Sequence, residues 1–147
     1  MGLPALASIS LALGCQERGT INEGVYTTCK EIAKYTNETV ELKNGKFRYW
    51  FYYDAKTNTS ITYPLAGEYH ISGSTLILDH PDIHDAKRTI AKSNGIDVLW
   101  RNDGLGVWQK EGRPVPFAVM LRVEGVTGRP SKAELPSIAL LEGANTK

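Results

Sequence analysis

Asn44-Gly45 sits between two runs whose apolar residues recur at every second position, Val40 and Leu42 before it and Phe47, Tyr49, Phe51 and Tyr53 after it. Both central residues of a two-residue type I′ turn need positive φ, and Asn-Gly is the pair that supplies it most readily. Pairing across this turn sets Leu42 opposite Phe47 and Val40 opposite Tyr49, so one face of the hairpin is apolar on both strands. The other face carries Lys46, Arg48, Trp50 and Tyr52. A chain that starts this way is committed to antiparallel sheet.

The same logic repeats downstream. Leu65, Tyr69 and Ile71 continue the alternation of Ile61 and Tyr63, and Gly73-Ser74 offers a II′-type turn that pairs Ile71 with Leu76 and Tyr69 with Leu78. Asn94-Gly95 pairs Ala91 with Val98, Thr89 with Trp100, and Lys92 with Asp97, the last as a charge pair on the outer face. Asp103-Gly104 is expected to bring Val107 to Trp100 and Trp108 to Leu99, and Phe117, Val119, Leu121 and Val123 alternate in a final strand. These readings give strands near 38–43, 46–54, 61–72, 75–79, 88–93, 96–101, 105–110 and 116–124.

About eight sequential antiparallel strands close naturally into an up-and-down barrel, which also removes exposed edges. A two-sheet meander sandwich is the alternative. Before the strands, Val25, Cys29, Ile32, Ala33 and Thr36 fall at helical spacing, and Thr20 with Glu23 has the spacing of a capping box, so a helix is expected over 20–35. The chain of 147 residues, 41% of them hydrophobic, suits one domain. Its expected divisions are a leader at 1–14, a linker and helix at 15–37, the barrel at 38–124 and a partly ordered tail at 125–147.

The leader, from Met1 through Ala12, Leu13, Gly14 and Cys15, is uncharged and apolar, too short for a spanning helix and of signal-peptide length. At Ala12-Leu13-Gly14-Cys15 it resembles the lipobox of bacterial lipoproteins. That resemblance implies acylation of Cys15, a membrane anchor, and, from Gln16, sorting to the outer membrane facing the periplasm. A buried N-terminal strand or helix is the alternative, and a secreted chain with a Cys15–Cys29 disulfide is another.

The repeated hairpins, with Gly67-Glu68-Tyr69-His70-Ile71-Ser72-Gly73-Ser74 at their centre, resemble small lipocalin-like domains of bacterial envelope proteins. Many domains of that kind have no assigned activity, but a barrel of about eight strands is either filled by side chains or just wide enough for one small apolar or amphipathic molecule. The alternative is a structural module that holds another envelope protein through its outer aromatic face or the connection at 79–85. Tyr49, Phe51, Tyr53, Tyr63, Tyr69 and Trp100 form the expected inward set, large enough to fill the interior. Trp50, Tyr52, Tyr69 and Trp100 are the candidate ligand or partner contacts.

Other chemistries find little footing. Seventeen Lys and Arg against sixteen Asp and Glu, with no basic run, argue against nucleic acid. No nucleophile elbow, phosphate loop or dinucleotide fingerprint is present, so no enzyme and no cofactor is expected. Asp79, His80, Asp82, His84 and Asp85 are the densest group of possible metal ligands. His80, His84 and Asp82 would serve best, but Pro81 and the surrounding composition read as an ordinary polar connection. Cys29 is expected to be a small buried hydrophobe.

Overall fold

A computed structural model describes residues 20–33, 36–53, 64–83, 86–100, 107–110, 113–116 and 119–142. Ten strands form: β1 (Gly24–Thr28), β2 (Thr36–Lys43), β3 (Lys46–Tyr53), β4 (Leu65–Ser72), β5 (Thr75–Leu78), β6 (Lys87–Ser93), β7 (Ile96–Trp100), β8 (Val107–Lys110), β9 (Arg113–Pro116) and β10 (Val119–Val123). Two single-turn α-helices, α1 (Lys30–Ala33) and α2 (Ala139–Glu142), and a 3-10 turn at Lys132–Glu134 accompany them among the described residues. Eight strands close an antiparallel barrel in which β1 to β7 follow one another and β10 pairs with both β7 and β1. It is an up-and-down barrel with one excursion, the two-stranded β8–β9 hairpin.

Three turns have the geometry that the sequence demands. Asn44 and Gly45 have φ of 55° and 79°, Asn94 and Gly95 have 53° and 78°, and Gly73 has 62°. The pairings across them are those read from the sequence, including Leu42 with Phe47, Tyr69 with Leu78, and Ala91 with Val98. Lys92 and Asp97 pair as expected, 3.3 Å apart, but in phase with the inward Ile90 and Leu99 and not on the outer face. Gly67 stands opposite Phe47, where a Cβ would meet the ring at 3.1 Å and the Asp79 carbonyl at 2.8 Å, so the missing side chain makes room for the aromatic.

The eight barrel strands are not quite the eight expected. Residues 20–35 do contain a helix, but among the described residues it is the single turn of α1, and the stretch before it is β1. Val25, Tyr26, Thr27 and Thr28 are all buried. A closing strand buried on both faces loses the alternation that marks a half-exposed one, and its Val, Tyr and Thr residues favour extended backbone. The expected strand near 105–110 is β8, which pairs with β9 and leaves β7 to pair with β10. The barrel therefore runs from Gly24, not from residue 38.

Inside the barrel, Tyr26, Val40, Leu42, Phe47, Tyr49, Leu76, Leu78, Leu99 and Met120 form one buried cluster, flanked by Phe51, Leu65, Tyr69, Ile71 and Ile90. A second apolar layer lies outside, where Val98, Val119 and Leu121 are covered by Cys29 and Ile32 and by Ile138 of the C-terminal segment. The described part of that segment, up to residue 142, is a strap. The Gly128 amide donates to Glu41 (3.0 Å), the Lys30 amide donates to the Pro136 carbonyl (2.8 Å), and Glu31 accepts from the Ser137 hydroxyl and the Ile138 amide. It is ordered because the outer face of β7 and β10 is too apolar to leave in water.

Among the described residues no helix is long and apolar enough to cross a membrane.

Candidate functional site

The barrel has two unlike ends. The turns at 44–45, 73–74 and 94–95, the start of β1 and the end of β10 lie at one, and the long connections that hold α1, residues 79–83 and the β8–β9 excursion lie at the other. Each end has its own polar cluster.

At the long-connection end, Glu38 and Arg88 face inward in phase with Val40 and Ile90. Arg88 Nη2 lies 3.1 Å from Glu38 Oε2, with side-chain exposures of 1% and 9%. Tyr49 donates its hydroxyl to the same carboxylate oxygen at 2.8 Å, and the Thr28 hydroxyl accepts the Glu38 amide at 2.9 Å. A charge pair in this setting loses its hydration and is tolerated because its partners are close and hydrogen-bonded. It anchors β2, β3 and β6 to one another across the interior.

At the tight-turn end the organiser is Glu23. Its carboxylate accepts the Asn44 and Gly45 amides (2.9 Å each) and the Tyr69 hydroxyl (2.5 Å). Its carbonyl accepts two donors of Arg122, at 2.9 and 2.7 Å. Tyr26 donates to the Asn22 carbonyl (2.6 Å), and the Asn22 amide group donates to Asp97 (2.7 Å). The Tyr69 hydrogen bond, followed by the Gly45 amide, holds the Glu23 carboxyl below its ordinary range. Burial first, and then Glu23, push the Tyr69 phenol up. Asp97 is held low, chiefly by Asn22 and then by Lys92.

On the outside, a cleft of about 680 Å³ opens on β2, β3 and β4 next to this end. Lys43, Lys46, Arg48, Ala66 and Glu68 line it. Glu41, also in its wall, is taken up by Arg48 and by the Gly128 amide.

The candidate contacts read from the sequence scatter over this frame. Tyr69 is inward, half-buried and bound to Glu23. Trp50 is on the outer face as expected, but only 8% exposed, with the Arg48 guanidinium 5.3 Å from its ring centroid. Trp100 belongs to the outer layer with Ala91 and Val98 and not to the inward set. It pairs with Thr89 as expected, but the whole hairpin presents the opposite face to the interior. Phe51 is inward. Tyr63, Cys15 and His84 lie outside the described residues, as do the side chains of Tyr52 and Tyr53.

His80 accepts the Asp82 amide through Nδ1 at 3.0 Å, a contact within its own connection. Among the described residues no group of three or more His, Cys, Asp or Glu is placed to hold a metal ion. Cys29 is a fully buried free thiol, pushed up to about 12 by burial and then by Glu31.

Glu38 was legible in principle, since it shares the phase of the apolar stripe of Val40 and Leu42, whereas Arg88 alternates in phase with both Ile90 and Lys92 and gives no such signal. Glu23 gave no such signal either, for the partners of its carboxylate lie 21 to 46 positions away.

No protein-family model, no curated protein and no solved structure matches this chain.

Proposed function

We propose that this chain is a non-catalytic module of the cell envelope, tethered through Cys15, that acts through the outside of its barrel as a structural or protein-interaction element. The packed interior carries this reading. An eight-stranded barrel is at the size where side chains either fill it or leave room for one small ligand. Here Tyr26, Phe47 and Tyr49 interlock with leucines from β2, β5 and β7, and Tyr49, Glu38 and Arg88 take up one another's polar groups. An enclosed apolar ligand would have to displace that core, at a cost its own burial must exceed. The lipobox-like leader supplies the tether, and Gln16 the outer-membrane destination.

The test is titration of the full chain with a fluorescent fatty-acyl probe, read in parallel by native mass spectrometry. No stoichiometric complex is expected. A one-to-one complex would replace this reading with that of a ligand carrier. The tether is checked by the mass of the mature chain from envelope fractions, where a diacylglyceryl addition on Cys15 is expected and a two-proton loss without lipid would point to a Cys15–Cys29 bridge.

A further inference from the structure

We infer that the tight-turn end of the barrel is the end held against a bilayer, with Lys43 and Lys46 meeting its anionic headgroups. The inference rests on the envelope reading above and says which surface that reading uses. Residues 20–23 are bound to this end by Ile21, which packs on the core, by Asn22 on Asp97, and by Glu23 on the Asn44-Gly45 turn, Tyr69 and Arg122. Four residues separate Thr20 from Cys15, five steps along the chain, so an anchor at Cys15 keeps this end within about 18 Å of the acyl chains at the roughly 3.3–3.6 Å per residue of extended backbone. The C-terminal strap returns to the same end, where Asn94 donates to the Leu141 carbonyl.

The charges there fit such a surface. Glu23 is consumed by the turn, Asp97 is shared by Asn22 and Lys92, and Glu124 is paired with Arg122. Lys43 and Lys46 stand directly opposite each other and are exposed. Among the described residues neither has a carboxylate within ion-pair distance. Glu68, across from Lys46, is the acid that remains on this flank. Like charges placed opposite each other cost stability, and an anionic surface relieves that cost. The cleft beside them gives headgroups room to approach.

The full chain can be coupled through Cys15 to a maleimide phospholipid in vesicles containing phosphatidylglycerol. Cys29 does not compete, because it is fully buried. Lysine acylation is then followed residue by residue by mass spectrometry. Lys43 and Lys46 should react about fivefold more slowly than in the uncoupled chain, the ratio set by one lysine's attraction to an anionic surface. Lys30 and Lys87, exposed at the opposite end, should keep their solution rates. Equal slowing at all four, no slowing at any, or slowing at Lys30 and Lys87 alone would overturn the inference. Because the coupling is chemical, an unlipidated cellular chain that still shows the protected pair defeats only the envelope reading. A lipidated one with a uniform footprint defeats only the orientation.

Discussion

The β2–β3 and β6–β7 hairpins are built on the same turn and face opposite ways. Both use Asn-Gly, with φ values within 2° of each other, and both have the register their sequences require. In β2–β3 the paired stripe of Val40, Leu42, Phe47 and Tyr49 fills the barrel. In β6–β7 the paired set of Ala91, Val98 and Trp100 lies outside under Ile32 and Ile138, while Ile90 and Leu99 go in. A turn fixes which residues sit side by side. It does not fix which side is the interior when both sides are apolar and both are covered.

The sharpest way to break this comparison is Arg88→Met. On the observed facing it strands Glu38 as a buried charge, and urea unfolding should show a loss of about 3–5 kcal/mol. A loss below about 1 kcal/mol would put Arg88 at the surface and return the Ala91–Val98 face to the interior.

Truncations come next. Leu42→Ala and Leu99→Ala, one from each hairpin, should each cost about 2–5 kcal/mol in the same assay. Val98→Ala should cost about 1.5 kcal/mol, two carbons at about 0.8 kcal/mol each, but only while the strap covers it. In an Ile138→Asp background, which lifts the strap, that cost should shrink toward zero, whereas Leu99→Ala should keep its full effect. Equal costs in both backgrounds would mean that the strap does not cover Val98.

The smallest effect concerns the turn that the first hairpin shares with the N-terminal segment. The Glu23 carboxyl is held low by Tyr69 and the Gly45 amide, so its contribution is complete above the carboxylate range of the unfolded chain and is lost as pH falls through the lowered folded value. Glu23→Gln should therefore lower Tm near neutral pH, and the gap to the wild type should close on acidification. A gap that stays constant with pH would show that hydrogen-bond geometry, and not charge, is what matters there.

Much of the barrel could be read residue by residue. The three tight turns and the strands joined to them rest on local rules, positive φ and a period of two, that act over a few neighbouring positions. Burial on both faces erases the period of β1, which leaves its residues compatible with helical spacing. The partner of β8 does not follow from local rules, because strand choice depends on what else competes for the edge of β7, and β10 wins it. Tyr69 is a candidate contact by its aromaticity, and its hydrogen bond to Glu23, 46 positions earlier, comes from the fold.

By itself the sequence determined an antiparallel meander of about eight strands, the registers of its three tight hairpins and the inward set of β2 to β5, because turn chemistry and alternation are short-range. The tertiary structure decided the rest: that β1 and β10 close the barrel, that β6 and β7 turn their Val98 face outward, and that Glu38, Arg88 and Glu23 find their partners. Those outcomes depend on which faces become covered, and covering is a property of the whole chain, to which the strap at 125–142 and α1 contribute as much as any strand.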